Sequence, residues 1–128
     1  MRILVDTHAL LWWIHDDPRL SSAARKTMSD PASELVLSVA SIWEIVIKFG
    51  SGQLKLGQPP ADYLPPVLKK YEIGLLNITG AHAFRTGTFP QHHKDPFDRI
   101  IIAQAIEENL PILTSDNHFR AYPVSTVW

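Results

Sequence analysis

Asp98 lies in "HHKDPFDRIIIAQA", residues 92–105, where Pro96 suits a first helical position and an apolar run follows. On a helix advancing about 100° per residue, Asp98 shares its face with Ile101, Ile102 and Ala105. Arg99, Gln104, Glu107 and Glu108 point elsewhere on that wheel. A carboxylate among apolar side chains costs several kcal/mol unless a charge compensates it or its pKa shifts until it is neutral. The nearby bases, Lys94 and Arg99, lie in the loop or off the stripe. A divalent cation shared with other acids is the economical compensation. Three more acids stand where a shared site can form: Asp6 after "RILV", Glu44 in the helix after "ELVLSV", and Asp116 after "PILT". Oxygen donors and the absence of cysteine favour Mg²⁺ or Mn²⁺ over zinc.

Each acid also has a purely structural explanation. Asp6 can cap a helix beginning near Thr7. "SIWE" reads as a capping box, with Ser41 at the N-cap and Glu44 at N3. Glu44 can pair with Lys48 four residues on. Asp116 can cap the turn "DNHF". Taken singly, Asp6, Glu44 and Asp116 are better explained as caps. Asp95 is a natural N-cap before Pro96, which puts Asp98 at N3, where a negative charge suits the helix dipole. A cap should face water, however, and Asp98 faces the apolar stripe.

The elements that must position these acids alternate along the chain. Strands are expected at 2–5, 34–39, 73–78, 111–114 and 122–127. Helices are expected at 7–14, 21–30, 41–50, within 57–72, at 80–87 and from 96 to about 109. The strands are continuous apolar runs, which indicates a parallel sheet covered on both faces. In such sheets, sites form beyond the carboxyl ends of the strands. Asp6, Glu44 and Asp116 are brought there by the strands before them. Asp98 follows a loop and is placed by helix orientation alone.

With 128 residues and 45% hydrophobic content, one domain spanning 1–128 is expected. Twelve basic and 13 acidic residues exclude a protein that grips nucleic acid by net charge. They leave open an enzyme whose positive charge is a metal ion. Asp6 and His8 interrupt the only stretch resembling a signal peptide, and no apolar run approaches the ~18 residues of a membrane span. A cytoplasmic protein without membrane attachment is expected.

Four stretches, "ILVDTHALLWW", "SVASIWEIVIKFGSGQLKL", "HHKDPFDRIIIAQA" and "PILTSDNHF", together resemble the PIN-domain ribonucleases, specifically the VapC-type toxins of toxin–antitoxin pairs. They run from residue 3 to residue 119. The resemblance implies a three-layer α/β/α sandwich around a parallel sheet and metal-dependent cleavage of RNA by an acidic cluster. Carried over position by position, it implies Asp6, Glu44, Asp98 and Asp116 as catalytic, metal-holding acids. "DPFD" offers two aspartates, and Asp95 can also face the site. Thr7, Ser115 and Asn117 are candidate assisting oxygen donors. The resemblance further implies a cognate antitoxin and a second subunit as protein partners.

Lys48, His93, Lys94, Arg99, His118 and Arg120 are candidate phosphate contacts, each singly better read as surface charge. Trp12 and Trp13 can stack on bases, but such residues more often pack in a core or interface. The six histidines form no closed zinc set. Two other classes compete with a nuclease. A phosphatase or phospho-acceptor domain needs paired acids at the first strand, and here Asp6 is followed by Thr7 and His8. A non-catalytic PIN-fold module for RNA or protein would not need all four acids.

Overall fold

The computed structural model describes residues 1–90 and 95–128. Five strands, β1 (Arg2–Val5), β2 (Glu34–Ser38), β3 (Gly74–Leu76), β4 (Ile112–Leu113) and β5 (Thr126–Val127), form one parallel sheet in the order β3-β2-β1-β4-β5. Among the described residues, six helices connect them: α1 (Thr7–Ile14), α2 (Ser22–Ser29), α3 (Val39–Gly50), α4 (Pro60–Lys70), α5 (Gly80–Thr86) and α6 (Pro96–Glu108). A 3-10 helix covers Asn117–Ala121.

Strand side chains alternate between two cores. Ile3, Val5, Leu35, Leu37 and Leu113 join Leu10, Ala24, Met28 and Leu68, from α1, α2 and α4. Leu4, Val36 and Ile112 join Ile101, Ile102 and Ala105 of α6 with Phe119. Helices therefore cover both sheet faces, and the α/β/α sandwich expected from the apolar strands is present. The chain builds outward from β1 to β2 and β3, then returns to place β4 on β1's other side. The switch in strand order falls between β1 and β4, where open α/β sheets place their sites. Among the described residues, no helix is long and apolar enough to cross a membrane.

Three local expectations are corrected. Helix α3 starts at Val39, because the Ser38 side chain accepts a hydrogen bond from the Ala40 N–H at 3.0 Å. Ser41 is thus no N-cap, the Ser41–Glu44 capping box does not form, and Glu44 sits in the second turn. The last strands are shorter than read, β4 being Ile112–Leu113 and β5 Thr126–Val127. Gln104, placed off the buried stripe of α6, is fully buried, because α5 and α3 also pack against that helix. Its Nε2 donates to the carbonyls of Leu76 and Asn77 at 3.4 and 3.3 Å, at the end of β3.

Helix α5 is locked to α6 through His82, which is fully buried. Thr79 N–H donates to its Nδ1 at 3.0 Å, so Nε2 carries the proton and donates to Glu108 Oε1 at 2.8 Å. His82→Ala leaves a cavity and an unmet backbone donor. The expected loss of stability is about 2–3 kcal/mol, read as a lowered midpoint in urea denaturation with an unchanged slope.

Candidate active site

Asp6 occupies the N-cap position of α1, but its side chain makes no capping bond. Its N–H donates to the Leu113 carbonyl at 3.0 Å, which ties the end of β1 to the end of β4. The carboxylate is 4% exposed and accepts from Thr114 Oγ1 at 2.9 Å. Burial raises its pKa, and the charge of Glu44 adds to that. The Thr114 hydrogen bond and His8 pull the other way.

Glu44 is equally buried, and Lys48 Nζ donates to its Oε2 at 2.8 Å across one helical turn. Asp116 caps the 3-10 helix: its Oδ1 accepts the His118 N–H at 2.9 Å and lies 3.0 Å from His118 Nδ1. The Asp116 N–H donates in turn to Thr114 Oγ1 at 3.1 Å. Thr114 therefore bridges two of the acids, receiving from the loop of one and donating to the carboxylate of the other.

Asp98 stands in the first turn of α6, half-buried, above Ile101 and Ile102. Burial pushes its carboxyl up to about 8, and the negative charges of Asp95, Asp6, Asp116 and Glu44 contribute in that order. Acids from four separate segments thus share one electrostatic neighbourhood. Asp95 performs the capping role, its Oδ1 accepting the Phe97 and Asp98 N–H groups at 2.9 and 3.3 Å.

The donor set consists of carboxylate and hydroxyl oxygens, and mutual repulsion disfavours full ionisation. Both properties fit a hard divalent cation. Among the described residues, no three acids or histidines already stand as a closed ligand set. Lys48 engages Glu44 through Oε2 and His118 engages Asp116 through Oδ1, which leaves one oxygen of each carboxylate for an ion.

The remaining candidates divide. Thr7 is buried and donates to Ser41 Oγ at 2.7 Å, a link between α1 and α3. Ser115 and Asn117 are exposed on either side of Asp116. Arg99 is directed to the α5 end, donating to the Thr86 and Pro90 carbonyls at 2.8 and 3.3 Å and lying over the Phe89 ring. Arg120 is exposed. His93 and Lys94 lie outside the described residues. Trp13 packs edge-on against Tyr71 and Trp12 against Trp128. Sequence reasoning missed Thr114, although it closes "PILT" directly before Ser115 and Asp116, and it gave Ser41 only as an N-cap.

Residues 3–124 match the PIN domain, and the chain belongs to that family. It is 30% identical over 131 residues to Ribonuclease VapC22 of Mycobacterium tuberculosis, covering 98% of both chains. Ribonuclease VapC16 of the same organism is 33% identical over 72 residues, 53% of this chain and 51% of that one. Among solved structures, VapBC2 from Rickettsia felis bound to a promoter DNA fragment is similar with TM-score 0.72 and 15% identity, covering 100% of each chain. VapBC-1 from nontypeable Haemophilus influenzae gives TM-score 0.70 and 17% identity, over 98% of this chain and 96% of that one.

Proposed function

We propose that this protein is a divalent-metal-dependent endoribonuclease, the toxin of a toxin–antitoxin pair. The observation that carries this reading is Asp98: its carboxyl is held up to about 8 by burial and by four acids converging at the carboxyl edge of the sheet. The kinship with chains named ribonuclease VapC supports it. Residues 1–128 act as one domain, in the cytoplasm.

Asp6, Glu44 and Asp98 would hold Mg²⁺ or Mn²⁺, with Asp116 holding a second ion or orienting water. Bound there, the ion neutralises phosphate charge, lowers the pKa of water and stabilises the leaving oxygen. Thr114 keeps Asp6 in one orientation while the substrate is attacked. Lys48, bonded to Glu44 at 2.8 Å, is the neighbouring cation that would pair with a phosphate oxygen. Water attacks phosphorus in line and gives up a proton to solvent, the P–O bond opposite breaks, and the leaving oxygen takes up a proton from solvent. The partners are RNA as substrate, a cognate antitoxin and a second copy of the chain. Exposed Trp43 (61%) and Phe84 (83%) are large apolar surfaces suited to a protein partner.

The test is cleavage of an end-labelled single-stranded RNA by the purified protein. Cleavage is expected with Mg²⁺ or Mn²⁺, none with EDTA, and recovery when the metal is returned. Absence of cleavage with every divalent cation tried contradicts the reading.

A further inference from the structure

Beside the acids runs a groove of about 300 Å³, of whose lining the chemistry above uses Lys48 alone. It lies between α1 and the C-terminal end of α3 and is lined by His8, Trp12, His15, Arg19, Lys48 and Gln53, among others. His8 and Trp12 stand one turn apart on α1 and His15 follows as its C-cap, while Arg19 lies beyond that helix and Lys48 on α3. His8 and Trp12 lie ring against ring, 6.1 Å between centroids. Arg19 lies over the Trp12 ring, 4.8 Å from its centre. Asp17 fixes that guanidinium from one side, accepting from Nε at 3.1 Å and Nη2 at 2.7 Å. Among the described residues, Nη1 has no acceptor, so the group keeps a donor for an incoming anion.

Two of its residues neighbour the acid cluster: the charge of His8 acts on Asp6, and Lys48 bonds Glu44. The molecule's other large concavities have a different character. One, between α3 and α4, is lined mainly by Ile42, Val46, Leu64, Leu68 and Leu75. A second, between α3, α5 and α6, contains Arg99, whose guanidinium bonds backbone carbonyls. A third, of about 430 Å³, is lined by Ile106, Leu110, Pro111, Pro123 and Val124 among others and carries no basic side chain. Cations, imidazoles and an indole along a channel are the combination that holds single-stranded nucleic acid, through phosphate pairing and stacking.

We infer that this groove is a subsite for single-stranded RNA, holding the nucleotides beside the scissile phosphate. Arg19 and Lys48 take phosphates, and His8, His15 and Gln53 take sugar or base. The inference rests on the ribonuclease reading and is tested separately from it.

The experiment measures binding of a fluorescent single-stranded RNA in EDTA by anisotropy, and steady-state cleavage in Mg²⁺. The variant carries His15→Gln and Arg19→Gln together. Lys69→Gln with Lys70→Gln, on α4, controls for lost charge. The groove variant is expected to bind at least tenfold more weakly and to raise KM by a similar factor. Its kcat moves less than twofold. The salt slope of log K falls by about 0.7 for each phosphate contact removed. The α4 control changes affinity less than twofold. If the wild type cleaves RNA and the groove variant binds and cleaves like it, or no worse than the α4 control, the groove inference is overturned and the ribonuclease reading stands. If the wild type neither binds nor cleaves RNA, both fall.

Discussion

Asp6→Asn is expected to lower metal-dependent RNA cleavage by about 10³-fold or more while the protein stays folded. Asparagine keeps the size of the side chain, and its carbonyl oxygen still accepts the Thr114 hydroxyl now bonded at 2.9 Å. The link from the end of β1 to β4 is made by the backbone and survives. What disappears is one negative charge at the centre of the acid cluster. A ligand charge of this kind is worth several kcal/mol at a catalytic ion, and each 1.4 kcal/mol is about tenfold in rate. Because burial raises the Asp6 pKa in the metal-free protein, the variant also relieves a local cost. Its thermal midpoint should therefore match or exceed that of the wild type. A variant that unfolds, or one that cleaves at the wild-type rate, contradicts the role given to Asp6.

The second large effect belongs to Asp98, and it reverses sign with metal. The carboxyl is raised from an ordinary 3.8 to about 8 in the folded protein. Below about pH 3, both folded and unfolded chains hold the proton, and Asp98 carries no penalty. As pH rises, the unfolded chain releases the proton first, so the metal-free fold loses stability until pH passes about 8. Taken whole, the shift amounts to about 6 kcal/mol. Solvent reaches part of the side chain, and screening leaves about 1–2 kcal/mol of it. Asp98→Asn removes the ionisation, so at pH 8 in EDTA the variant should be more stable than the wild type by about that amount. At pH 3 the two should agree. With millimolar Mg²⁺ the order should invert, because only the wild type gains binding energy from the ion. Chemical denaturation at the two pH values, with and without Mg²⁺, reads all of this. Equal stability at pH 8 in EDTA contradicts the crowded acid cluster.

The inward orientation of Asp98 was legible from helical periodicity, because position along a helix fixes direction around it. Pro96 made the division of labour with Asp95 legible too, since proline at the first helical position leaves the preceding residue to cap. The alternation of Ile3, Leu4 and Val5 between two cores follows from a buried parallel sheet. Other features depend on contacts that local pattern does not carry. "SVAS" offers two serines as caps, and Ser38 prevails because β2 ends there in register with Leu76. Gln104 was misplaced because a helical wheel assumes one packed side, whereas α6 is covered from three directions. Thr114 meets Asp6 across 108 residues of chain. Only the sheet order, with β4 beside β1, brings them together.

Titration of Mn²⁺ into the metal-free protein by calorimetry at pH 8 tests the central claim, that these acids are a metal site, most directly. Saturable binding is expected in the wild type and its loss in Asp6→Asn and Asp98→Asn, each still folded by circular dichroism. Undiminished binding in both variants, or RNA cleavage by the wild type that persists in EDTA, would contradict it.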